Sequence, residues 1–321
     1  MSLVYLSIAV IWLQVAVQWS RGAVISSEMM HNHNRDPRAV RTTNTAYGLW
    51  PNPQAILYRI GAGFTATDTA GIQAAMAQIS ADMNNCIRFQ PYTNVTNAGT
   101  DFIQISQTLS SPTTASVSTA TCFSFPGRVV RQAGNGQTLL MVGGVDGCLS
   151  STREIMKYLV NSLGIRNEMN RPDRNGAIQV VADNQLKPGL QNLGITTILP
   201  AATTTLLTTN FDYKSITMPA VTKYVNTGNL YSAVGGAALP TTGNTAPGNL
   251  ARLSQGDCLG LRILYPTTCT AAVAPCPDNY GGTGASTANA NAATGTGTGT
   301  VINGTPGGTP LEPPQTGNVQ F

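Results

Sequence analysis

Apolar positions along this chain change their spacing several times, and each change predicts an element. Ile56-Leu57-Tyr58-Arg59-Ile60 is a short apolar run and predicts a strand. Ile72, Met76, Ile79 and Met83 recur at three- and four-residue intervals. They predict an amphipathic helix that starts near Thr67, is capped by Asp68 and runs into a strand ending at Phe89. Phe102-Ile103-Gln104-Ile105 and Leu139-Leu140-Met141-Val142 predict two further short strands. Ser151-Thr152-Arg153-Glu154 has the capping-box pattern, in which each end side chain satisfies an orphan N–H. Ile155, Met156, Leu159, Val160 and Leu163 follow; at about 100° per residue they share an arc of about 140°. Gly164 supplies the stop. The segment therefore predicts a helix of about three turns with one buried face. Lys157, Tyr158 and Asn161 fall on its other side, where a solvated face is the plain expectation.

The ends of the chain carry different patterns. Leu3 to Val17 is almost wholly apolar and is followed by Ser20, Gly22 and Ala23. The run is shorter than the roughly 20 residues of a membrane span and fits a secretory signal peptide over 1–22. Residues 23–46 are polar and read as a short, flexible, propeptide-like segment. It holds both histidines of the chain, His31 and His33, which are expected to belong to a solvated linker rather than a metal site. Residues 47–269 have a globular composition, and no repeat of fixed period appears. From 270 to 321 Gly, Thr, Ala, Asn and Pro dominate. Apolar residues there are too sparse to offset chain entropy, so a disordered tail is expected.

Composition narrows the class of function. A formal charge of +4 with 10% charged residues is too weak and scattered for nucleic-acid binding. In an exported chain, the six cysteines imply three disulfides, with fifteen pairings open. Asn94-Val95-Thr96 and Asn303-Gly304-Thr305 are N-glycosylation sequons, so Asn94 and Asn303 are candidate acceptors. Together these features predict a secreted, extracellular protein that does not insert in a membrane.

The chemistry is concentrated after the capping box. Lys157 to Asn175 reads KYLVNSLGIRNEMNRPDRN. It resembles the signature HExxHxxGFxHExxRxDRD of the astacin family of zinc metalloendopeptidases. Gly164, Glu168, Arg171, Asp173 and Arg174 match in register. Further likeness lies in Leu49-Trp50-Pro51-Asn52, in Cys86-Ile87-Arg88-Phe89, in Cys122 with Gly147-Cys148, and in Phe211 to Ile216. It ends at Leu253 to Asp257, Leu264-Tyr265 and Cys269, so it spans about 47–269.

The resemblance implies an α+β metzincin domain. Its N-terminal half would be a twisted mixed sheet with two helices, and its C-terminal half largely irregular with one helix near Asp257 to Tyr265. It also implies the disulfides Cys86–Cys269 and Cys122–Cys148, which leave Cys258 for Cys276. The family's three zinc ligands fall on Lys157, Asn161 and Asn167, and its catalytic glutamate on Tyr158. Its Met-turn region falls on Thr217, Met218 and Pro219.

These residues predict loss of the chemistry. An ammonium repels zinc, and amide oxygens suit harder cations. A phenol with a pKa near 10 is a poor general base at neutral pH. No cofactor is therefore expected, although the resembled family carries zinc. The expectation is a catalytically inactive astacin-like protein that binds a peptide or extracellular protein in the former cleft. Lys157 would either attract an acidic group there or pair internally with Glu154 or Glu168. Two alternatives stand beside it: an extracellular matrix or coat protein, to which the tail would contribute, and a metalloendopeptidase with an atypical metal site.

Overall fold

The computed structural model describes residues 40–276 apart from 112–113, 118–120, 131–133, 135, 192, 208–210, 237–238 and 240–245. The signal-peptide reading, His31, His33, Asn303 and nearly all of the tail lie outside the described residues.

The strands in chain order are β1 (Val40–Thr42), β2 (Tyr47–Gly48), β3 (Ile56–Ile60), β4 (Phe89–Pro91), β5 (Phe102–Ser106) and β6 (Leu109–Ser111). They continue as β7 (Thr114–Val117), β8 (Arg128–Val129), β9 (Gly136–Leu140), β10 (Ile178–Val180), β11 (Thr204–Leu206) and β12 (Tyr231–Ala233). Three α-helices accompany them: α1 (Ala66–Asp82), α2 (Thr152–Ser162) and α3 (Gln255–Leu264).

The main sheet has the order β4-β3-β5-β9 and its four strands are mutually parallel. Its antiparallel part is the bridge between Phe123 and Leu140. Parallel neighbours need long crossovers, and α1 supplies the one between β3 and β4. Its buried residues include Ile72, Ala75, Met76 and Ile79, the face that the sequence periodicity predicts.

The start of α1 differs from the sequence reading in its cap. Thr65 is the N-cap and Asp68 its partner three residues on. The Asp68 N–H donates to Thr65 Oγ1 at 3.1 Å, and the Thr65 N–H donates to Asp68 Oδ2 at 3.0 Å. The reciprocal pair satisfies two orphan donors where Asp68 alone would satisfy one.

Helix α2 lies across the same core as α1. Its cap matches the sequence pattern: the Glu154 N–H donates to Ser151 Oγ at 3.2 Å. The expectation of a solvated second face fails, because every residue from Arg153 to Ser162 is buried. Periodicity finds the face that joins the main core; it does not reveal that a second layer covers the polar face. The end of α2 is held by Trp50, whose Nε1 donates to the Ser162 carbonyl at 2.8 Å. Gly164 follows with φ of 111°, a conformation that a side chain resists.

Beyond Gly164 regular structure is short: two-stranded pairs, 3-10 turns and α3. A second apolar cluster holds this half together, with Met169, Ile178, Leu190, Met218, Leu230 and Tyr231 in its centre. Helix α3 returns to the first cluster through Leu261 and Leu264. The Asp82 carboxylate at the end of α1 accepts from Arg252 Nε at 2.9 Å and from the Leu253 N–H at 2.8 Å. Disulfides join Cys86 to Cys269, Cys122 to Cys148 and Cys258 to Cys276. The first and third fasten the two ends of α3, which would otherwise be held by one short helical face.

Candidate functional site

A small cavity of about 40 Å³ opens beside α2. The first core contributes Tyr158 and Cys122 to its lining, the second Met169 and Tyr224. Lys157 and Asn167 line it too, so the structure brings together three of the positions singled out in the sequence.

Lys157 is 2% exposed. Its Nζ lies 5.5 Å from the centre of the Tyr158 ring and 5.6 Å from that of Tyr224. Both rings present π-electron density to the cation, an attraction that grows as water is excluded. Around it sits a charge group centred on Glu154. Arg153 Nη1 reaches Glu154 Oε1 at 2.6 Å, and Lys223 Nζ donates to Glu154 Oε2. Burial alone raises the Glu154 pKa, but the charges of Arg153, Lys157 and Lys223 outweigh it and lower the value from 4.5 to about 2. Glu154 is therefore ionised at neutral pH, and three cations act on one carboxylate.

The other predicted positions have different roles. Asn161 is wholly buried, and its Nδ2 donates to the Ile165 carbonyl at 3.1 Å, which closes the end of α2. It is not in the cavity lining. Asn167 is half-buried; its Oδ1 is enclosed and has no hydrogen-bond partner. Thr217 Oγ1 accepts from the Glu168 N–H at 2.9 Å, and Met218 is buried in the second core. The Pro219 carbonyl accepts from Tyr231 Oη at 2.6 Å. This segment packs and anchors, with no side chain in the cavity lining. Asn94 is exposed, as a glycan acceptor requires.

Glu168 is not in the cavity lining. It accepts from Arg171 Nη1 at 3.1 Å and from the Asp212 N–H at 2.8 Å. Burial raises its pKa from 4.5 to about 8; Arg171 and the Asp212 N–H oppose this, and the charges of Asp212 and Asp257 add to it. Arg171 is shared with Asp173, which takes two of its hydrogen bonds, at 2.8 and 2.9 Å. Arg174 is bonded to backbone carbonyls. It donates to the carbonyls of Met169 at 2.8 Å and Thr196 at 2.6 Å, and burial lowers its pKa to about 10.

Sequence reasoning missed Tyr224 and Lys223. Tyr224 is 3% exposed and has φ of 71°, a left-handed backbone that costs a bulky residue energy. Its Oη lies 3.4 Å from that of Tyr158. Neither residue belongs to a motif, and a positive φ at a non-glycine residue leaves no trace in sequence.

Zinc does not fit this donor set. Lys157 carries three N–H donors and a charge of the metal's own sign, and Asn161 Nδ2 is committed to a carbonyl. Asn167 Oδ1 offers one neutral oxygen. Among the described residues no group of three or more His, Cys, Asp or Glu side chains is placed to hold a metal ion.

The fold and this arrangement place the chain in a class. The model of the astacin peptidase family matches residues 42–266, and the chain belongs to that family. Among solved structures, High choriolytic enzyme 1, a hatching enzyme zinc-protease from Oryzias latipes (Medaka fish), is 21% identical. That likeness covers 70% of this chain and 96% of the other, at a TM-score of 0.49. Myroilysin is 17% identical over 70% of this chain and 98% of its own, at a TM-score of 0.42. No curated protein matches the chain. Among the described residues no helix is long and apolar enough to cross a membrane.

Proposed function

We propose that this protein is a secreted, catalytically silent member of the astacin family whose cleft binds a peptide or extracellular protein. One observation carries the reading. A buried ammonium, Lys157, held between two tyrosine rings and the Glu154 charge group, occupies the first metal-ligand position of the family signature. A site arranged around a fixed cation has no use for a second one, since like charges at short range repel strongly where water is excluded. Tyr158 at the base position lies among phenol and hydroxyl neighbours, with Tyr224 Oη and Thr121 Oγ1 each 3.4 Å away. No histidine occurs after residue 33, so none is available within the domain to activate water or a serine.

The experiment is elemental mass spectrometry on the purified protein after incubation with zinc and removal of the excess, with a protease assay on a denatured protein substrate alongside. The reading expects below about a tenth of an equivalent of zinc and no cleavage. About one equivalent, lost when Asn161 or Asn167 is replaced by Ala, overturns it, and so does cleavage that a chelator abolishes.

A further inference from the structure

The main sheet has two edges, and the protein closes one of them. Beside β9 the chain pairs again through the bridge between Phe123 and Leu140, and the disulfide from Cys122 to Cys148 holds that segment in place. At the other edge β4 has no strand on its outer side among the described residues. An open edge offers N–H and C=O groups with which another chain can pair. The edge strand, Phe89-Gln90-Pro91, carries no charge to discourage this. Pro91, which has no N–H, blunts only its end.

The turn that follows β4 closes on itself. The Asn97 N–H donates to the Thr93 carbonyl at 3.0 Å, the Thr93 N–H donates to Asn97 Oδ1 at 2.9 Å, and the hydroxyls of Thr93 and Thr96 bond to each other. The Thr96 hydroxyl also donates to Asn97 Oδ1 at 3.2 Å, and the Thr100 N–H donates to the Asn97 carbonyl at 3.0 Å. The side chains of Asn94 and Val95 take no part in this network. Asn94 is exposed, and Val95, at 93%, is the most exposed large apolar side chain among the described residues. A bulky group attached to the Asn94 amide therefore breaks none of these bonds. It would stand at the corner where the open edge ends and Val95 projects.

We propose that Asn94 carries an N-linked glycan, and that this glycan shields Val95 and the open β4 edge from pairing with a second copy of the chain. Thr96 supplies the hydroxyl residue that the acceptor sequence requires. In the transfer, Asn94 Nδ2 gives up a proton and bonds to the anomeric carbon of an oligosaccharide carried on a lipid pyrophosphate. The bond from that carbon to the pyrophosphate oxygen breaks, and the lipid pyrophosphate leaves with the electron pair. The product is bulky, hydrated and confined to the surface. The assignment rests on the secreted reading of the chain given above and uses no residue of the cavity.

The test uses the full chain secreted from a eukaryotic host. Peptide mapping before and after peptide N-glycosidase treatment should show a glycan on Asn94 that is lost with conversion of Asn94 to aspartate. Asn94→Gln and Thr96→Ala should abolish it, and Thr96→Ser should keep it. Asn303→Gln controls for the other sequon. A secreted chain with Asn94 unmodified overturns this inference alone, whereas a chain retained inside the cell overturns the secreted reading as well. For the role of the glycan, light scattering after gel filtration compares native, enzymatically deglycosylated and Asn94→Gln protein. The oligomeric fraction is expected to rise several-fold in the last two, while the thermal midpoint stays in place because no packed contact is lost. An unchanged oligomeric fraction overturns the shielding role. So does association accompanied by a lowered midpoint, which is unfolding rather than pairing at an edge.

Discussion

Glu154→Gln removes the one carboxylate that Arg153, Lys157 and Lys223 share, while keeping the shape of the side chain. The lowering of the Glu154 pKa from 4.5 to about 2 measures how much the folded state favours the ionised form. At about 1.4 kcal/mol per pH unit this corresponds to about 3 kcal/mol. Solvent screening reduces that little, because the Glu154, Arg153 and Lys223 side chains are 8%, 7% and 9% exposed. For a domain of this size about 3 kcal/mol shifts the unfolding midpoint by about 6–12 °C. The assay is thermal unfolding by circular dichroism at pH 7 and across an acid series, with the disulfides kept oxidised. Because the folded pKa is depressed, the contribution is fully present above pH 4.5 and is lost as pH falls towards 2. Wild type and variant should therefore differ by this amount at pH 7 and converge as the pH falls to about 2. A variant within about 1 °C of wild type at pH 7 would refute the charge-group account. So would a gap that persists unchanged at pH 2.

Two further outcomes follow from the same structure. Glu168 has its pKa raised to about 8, so its ionised form is disfavoured in the fold, and this cost grows as pH rises from 4.5 to 8. Glu168→Gln should leave stability at pH 5 nearly unchanged and raise it by a few kcal/mol at pH 9, read as a urea midpoint; equal pH slopes for the two proteins would contradict this. Replacing Cys258 and Cys276 together by Ala opens a loop with a sequence separation of 18 and frees the end of α3. A loss of about 3 kcal/mol is expected in the same assay, and a loss below about 1 kcal/mol would mean that packing alone holds the helix.

The elements that local patterning dictates were legible before any coordinates. The apolar spacing of Ile72, Met76 and Ile79, and the Ser151 to Glu154 cap with Leu159 and Leu163 behind it, gave α1 and α2 because helical period and capping are decided within a few residues. The separated signature motifs were enough to identify the family. The Asp68 assignment went astray because Thr65 and Asp68 cap one helix jointly, and a sequence shows both residues without showing which backbone turns first.

The candidate site was legible only in part. Lys157, Tyr158 and Asn167 could be named, but their surroundings could not. Lys223 and Tyr224 lie more than 60 residues from α2 and reach it only because the second apolar cluster folds back over the polar face of that helix. That same fold-back turns an expected solvated lysine into a buried one, strips away the water that would screen its charge, and ties Glu154 to partners from two segments. Glu168, Asp212 and Asp257 likewise meet only in three dimensions, and the raised pKa of Glu168 follows from that meeting. The sequence by itself determined the helices, the cross-linking residues and the family, since each rests on local spacing or on residue identity. The tertiary structure alone decided which charges are buried together, because desolvation and Coulomb energy depend on distances that chain order does not contain.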